Sequence, residues 1–143
     1  MVNGQPLHSE LKMIVQLRRK NSRYPDLTPN KKYVVIGIEA DDLRILSDQG
    51  KPYLYPARLF DLLDNREPKD WITEFGSDNE RYAYPSELLA PGFFEDFFDN
   101  KRDAVSTFWQ VVNRRLAAGQ AVARRFRDKD MQHARIGMRP RAA

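Results

Sequence analysis

Five aromatic residues stand where they could hold a ligand. Tyr53 and Tyr55 lie in "YLYPARLF", Tyr82 and Tyr84 in "YAYPSELL", and Trp71 falls between the two stretches. An aromatic face can take an extended proline-rich peptide, whose helix is already ordered, or stack on unpaired bases. The same rings can instead fill the core and edges of a small β structure. A second set is cationic. Arg114, Arg115, Arg124, Arg125 and Arg127 follow one another along the last third of the chain, with Lys129, Arg135, Arg139 and Arg141 beyond them. Such a run either contacts phosphates, each contact adding salt dependence, or forms the solvated face of a helix. A third set, Glu39, Asp41 and Asp42, has the hard oxygens that a divalent cation prefers. It lacks the DxDxDG spacing of a calcium loop and reads as a solvated turn.

Other chemistries find little to build on. The chain has no cysteine, which rules out disulfides, thiolate metal sites and cysteine nucleophiles. Its two histidines, His8 and His133, lie in terminal segments expected to be mobile, and a general base must be held in geometry to act. Neither "GSDNE" nor "GKP" has the spacing of a phosphate loop. The expectation is therefore binding without catalysis, with no cofactor and no metal. The partner is a protein or peptide on the aromatic face, with nucleic acid on the arginines as the alternative.

Charge divides the 143-residue chain. Residues 1–100 carry 13 Lys/Arg against 17 Asp/Glu, and residues 101–143 carry 11 against 3. A mildly acidic body is joined to a strongly basic end, which can attract polyanions or serve solubility. The N-terminal stretch has no apolar core of signal-peptide type, and no run approaches the 18 apolar residues of a membrane span. A cytoplasmic protein without membrane association is expected, and the lack of disulfides suits a reducing compartment.

The elements that must position these residues read mainly as β. "KMIVQLRR" fits a strand or an amphipathic helix, and its β neighbours favour the strand. "YVVIGIEA" is β-branched and the clearest strand. "LRILS", the turn "SDQGKP" with Gly50, and "YLYP" form a hairpin ended by Pro56. "PARLF" predicts a helical turn, and "DLLD" leads into the loop "NREPKD". The pattern then returns 29 residues later: "WITEF", the turn "GSDNE", "RYAYP" and the turn "SELL". Each copy reads as a hairpin followed by a plug, with both tyrosines on one side of the strand. Phe93, Phe94, Phe97 and Phe98 form a helical stripe that packs on the β structure. A longer helix follows from about Asp103 to Arg127, capped by Asn100 or Asp103, with Val105, Phe108, Trp109, Val112, Leu116 and Phe126 on its apolar side. That stripe either packs at home or pairs with a second helix, giving a monomer or a helix-mediated dimer.

The stretch "LTPNKKYVVIGIEADDLRILSDQGKPYLYPARLFDLLD" resembles short bacterial and phage proteins built on an SH3-like barrel. The matching positions are Leu27, Thr28, Lys31, Tyr33, Leu43-Arg44-Ile45, Asp48, Gly50, Tyr55-Pro56 and Phe60. Asn30 stands where that pattern usually has Gly, and Leu43 where it often has Tyr. The resemblance covers roughly residues 13–64 and implies a small β-barrel; it brings no catalytic residues with it. The expected organisation is a flexible extension over 1–11 and an SH3-like barrel of about five strands over 12–90. A Phe-rich turn and C-terminal helix cover 91–127, and a disordered basic tail covers 128–143.

Overall fold

A computed structural model describes residues 12–126. The extension at 1–11, Arg127 and the basic tail at 128–143 lie outside the described residues. The fold is mainly β with two helices at its C-terminal end. Its elements are β1 (Ile14–Leu17), β2 (Lys32–Glu39), β3 (Asp42–Leu46), β4 (Pro52–Pro56), β5 (Phe60–Asp64), β6 (Trp71–Phe75), β7 (Arg81–Pro85), α1 (Phe93–Phe98) and α2 (Arg102–Phe126). Short 3-10 turns, Ala57–Leu59 and Ser86–Leu88, follow β4 and β7. Among the described residues no helix is long and apolar enough to cross a membrane.

All strand pairs are antiparallel. The main path runs β4-β3-β2-β1-β5, and β7 joins β2 while carrying β6 on its far side. No ladder joins β4 to β5 among the described residues, so the sheet is open where a closed barrel was expected. Seven strands form where about five were expected. Six fall on stretches read as strands, and the seventh is β5, in the stretch read as leading into a loop. "FDLLD" hides it because Leu62 and Leu63 are both exposed and its register with β1 shifts beside Val15, so alternation fails as a signal.

The 29-residue repeat holds throughout. β3, β4 and the first 3-10 turn reappear as β6, β7 and the second, each boundary displaced by the same 29 positions. The ladders share one register: Asp42↔Pro56 and Leu46↔Pro52 correspond to Trp71↔Pro85 and Phe75↔Arg81. The turns share one conformation, with Gly50 at φ 76° and Asn79 at φ 66° in the left-handed region, which glycine and asparagine tolerate.

β2 is the hinge of the sheet. Its first half pairs with β1 and its last two residues with β7, while β3 runs along its other edge. A bulge at Ile36 shifts the register between Val35 and Gly37. Two cores share the strand as a result. Tyr33, Val35 and Ile38 face a first core with Val15, Leu17, Ile45, Tyr55 and Phe60. Ile36 faces a second, with Tyr84, Leu88, Phe93, Phe97, Phe108, Val111 and Val112.

The helices close that second core. Asn100 was one of two expected caps for α2, but it adopts φ 59° and ends α1 instead. Its N–H donates to the Phe97 carbonyl and that of Lys101 to the Asp96 carbonyl, a Schellman-type stop. α2 then packs Phe108, Val111 and Val112 inward, with Val105, Trp109 and Leu116 partly buried beside them. As far as Leu116, the stripe considered for helix dimerisation is spent on the chain's own core.

Candidate functional site

The structure separates the five expected aromatic residues. Tyr55 and Trp71 belong to the first core; Tyr55 is only 2% exposed, and its hydroxyl donates to Asp26 Oδ2 at 2.5 Å. Burial, then the Asp26 carboxylate, pushes the Tyr55 phenol well above its ordinary range. Tyr84 is 3% exposed in the second core. Tyr53 and Tyr82 remain open to solvent in part. A single face of five rings therefore does not form: alternation places Tyr53 and Tyr55 in edge contact at 6.5 Å, but only the inner ring enters the core.

A different surface gathers Tyr82, Tyr84 and, through a neighbour, Tyr53. A groove of about 780 Å³ runs between the exposed side of β3, β4, β6 and β7 and the helix α1. Leu54, Tyr82, Tyr84, Phe94 and Phe98 supply its apolar surface, and Glu39, Glu74, Glu95 and Asp99 its carboxylates. Tyr53 stacks flat on Phe98, with ring centroids 5.4 Å apart and planes within 3°. The volume falls within the range of small-ligand sites.

The groove floor is rigid for a definable reason. Arg44 is buried, and each of its nitrogens has a partner: Nε donates to the Tyr84 hydroxyl at 2.8 Å, Nη1 to the Pro52 carbonyl at 3.0 Å, and Nη2 to Glu39 Oε2 at 2.8 Å. The Tyr84 hydroxyl donates in turn to Glu39 Oε2 at 2.7 Å. The guanidinium also lies 3.8 Å from the centre of the Phe94 ring, a cation–π contact strengthened by burial. Burial raises the Tyr84 phenol above its ordinary value; Arg44 works against this, and Glu39 adds to it. Glu39, expected in a solvated acidic turn, is thus turned inward as a counter-ion, while Asp41 is exposed at the turn.

Once Arg44 neutralises Glu39, three carboxylates remain on the groove. Glu74, Glu95 and Asp99 have no ion-pair partner among the described residues. Among the described residues no set of three metal-ligating side chains converges to hold an ion. The site can therefore favour positive charge over an aromatic and aliphatic surface. A second cleft, of about 200 Å³, lies between β2 and α2 and is lined mainly by buried residues such as Val35, Ile36, Leu88 and Val112.

Of the expected cationic residues, Arg115 donates to both carboxylate oxygens of Asp70 at 2.8 and 2.9 Å, and its side chain is 14% exposed. Arg114 reaches Glu87 at 3.2 Å and stays largely exposed. Both tie α2 to the body of the fold. Arg124 and Arg125 fall on the last turns of α2, where side chains are not described, and Arg127 lies outside the described residues.

Sequence reasoning missed Phe94, Phe98, Glu74, Glu95 and Asp99 as groove residues. The signal was present in "FFEDFFDN": Phe93 and Phe97 are buried, whereas Phe94 and Phe98 sit one position on and turn toward the edge. Two faces were merged into one stripe. No protein-family model, curated protein or solved structure matches this chain.

Proposed function

We propose that this chain is a non-catalytic binding module that holds an extended, lysine- or arginine-bearing segment of a protein partner in the groove between β7 and α1. One observation carries the reading: Glu74, Glu95 and Asp99 rim a surface of Leu54, Tyr82, Phe94 and Phe98. Unpaired carboxylates over aromatic rings favour a cationic side chain with an aliphatic stem, whose methylenes cover the rings while its charge meets the carboxylates. An extended backbone can lay alternate side chains against such a surface of strands and helix.

The SH3-like description belongs to the same proposal. β1 lies between β2 and β5, β2 continues through β3 to β4, and a 3-10 turn leads from β4 to β5. That order supports an SH3-like barrel left open, with the hairpin β6–β7 added to the end of β2. The alternative, phosphate binding by the arginines of α2, has less support because Arg115 and Arg114 are engaged with Asp70 and Glu87.

The test is fluorescence anisotropy of a labelled extended peptide of alternating lysine and proline, with a glutamate–proline peptide as control. The lysine peptide binds and the control does not. Reversing two carboxylates, Glu74→Lys with Glu95→Lys, weakens binding about tenfold, since each exposed ion pair contributes up to about 1 kcal/mol. Equal affinity for both peptides, or no binding of either at low salt, refutes the proposal.

A further inference from the structure

The outer edge of β6 is the open counterpart of an edge that the first repeat has filled. β3 is paired on both sides, by β4 and by β2. Its equivalent, β6, pairs with β7 alone among the described residues. Apolar side chains remain exposed along it: Ile72 is 43% and Phe75 62% exposed. Ile72 corresponds to Leu43, which is buried in the first core.

The hydrogen-bond phase of that edge is known. Gly76 donates to the Glu80 carbonyl at the end of the hairpin. In an antiparallel ladder, bonding then falls on alternate pairs, so Glu74 and Ile72 face β7. Trp71, Thr73 and Phe75 turn their backbone groups outward, and the Trp71 N–H is taken by the Pro68 carbonyl. The other sheet edges are defended. β4 has Pro52 and Pro56 at its outward-facing positions, and β5 is broken by the register shift beside Val15. Prolines and bulges are among the ways natural edges discourage pairing. β6, "WITEF", has no proline, and its only charge, Glu74, stands at an inward-bonding position.

We propose that β6 pairs antiparallel with β6 of a second copy of this chain, about a two-fold axis through Thr73, making a continuous sheet across the dimer. The sequence of the strand is self-complementary in that register. Thr73 meets Thr73, Trp71 meets Phe75, and Phe75 meets Trp71, all on one face. Thr–Thr and aromatic–aromatic pairs are among the favourable cross-strand neighbours. Thr73 N–H groups donate to Thr73 carbonyls in both directions, and Phe75 N–H groups to Trp71 carbonyls, leaving the Trp71–Pro68 bond intact. On the opposite face Ile72 lies beside Glu74, so no two like charges are opposed. A two-fold contact of this kind closes on itself and does not propagate into fibres.

The full chain provides a clean test because it has no cysteine. Residues facing each other across a hydrogen-bonded antiparallel pair have Cα atoms about 5.5 Å apart, within reach of a disulfide. Thr73→Cys under mild oxidation gives a covalent dimer, while Glu74→Cys, offset from its own copy, cross-links at least tenfold more slowly. Sedimentation equilibrium of the unmodified chain shows a concentration-dependent dimer. Phe75→Lys and Thr73→Pro both shift it to monomer with the circular dichroism unchanged. A chain that stays monomeric at all concentrations, equal cross-linking at positions 73 and 74, or a dimer indifferent to Phe75→Lys overturns the proposal.

Discussion

The ring of Tyr84 occupies the space that a side chain at Gly37 would need; a Cβ there would overlap its ring carbons. The close approach lets the Tyr84 hydroxyl reach Glu39 and Arg44 on the neighbouring strands. Gly37→Ala must push the ring aside, and overpacking of this kind costs about 1–3 kcal/mol. Urea titration of the variant should show a lower midpoint with an unchanged slope.

Arg44 and Glu39 should behave as a coupled pair. Arg44→Met leaves Glu39, whose side chain is 28% exposed, without its cation. One-sided removal should cost about 3 kcal/mol, near the low end for buried pairs because Glu39 retains some water. Adding Glu39→Gln should restore part of that loss, so the two changes are less than additive in a double-mutant cycle.

The two hairpin turns make a prediction from one to the other. Asn79 stands where the first repeat has Gly50, both with positive φ. Asn79→Gly should leave stability nearly unchanged. Asn79→Ala forces an ordinary side chain into the left-handed region, at a cost of about 1 kcal/mol. Thermal melts of the two variants would be compared directly.

Asp48 gives the acid limb of the stability curve a particular cause. Burial acts to raise its carboxyl, but hydrogen bonds from Lys31, Thr28 and Tyr33 outweigh this and hold it below the ordinary 3.8. Its folded value is depressed, so its contribution is fully present above about pH 4 and is lost as the pH falls through the folded value. Asp48→Asn should lower the melting temperature at neutral pH and flatten its decline below pH 4. An undiminished decline would assign acid unfolding to other carboxylates.

Much of this fold was readable where local chemistry speaks alone. The "YxYP" repeats mark two hairpins, because proline ends a strand and the turn needs a left-handed residue at position 50 or 79. β5 was not readable: Leu62 and Leu63 are both exposed, and its pairing with β1 joins segments some 45 residues apart. The bulge at Ile36, which divides the strand between two cores, leaves no mark in "YVVIGIEA" beyond the glycine that follows it. The groove was least visible of all. Its residues come from β2, β3, β4, β6, β7 and α1, and only folding brings Glu74, Glu95 and Asp99 to one rim. The tyrosines drew attention by their spacing, yet the inner one of each pair is core.

The central claim is that the groove between β7 and α1 binds a cationic extended segment, and amide chemical-shift mapping tests it most directly. On titrating the labelled chain with the lysine–proline peptide, shifts should concentrate at Leu54, Glu74, Tyr82 and residues 94–99. They should fade as salt is raised and need about tenfold more peptide to develop in the Glu74→Lys, Glu95→Lys variant. Shifts centred on α2 near Arg114 instead, or spread evenly over the surface, would contradict it.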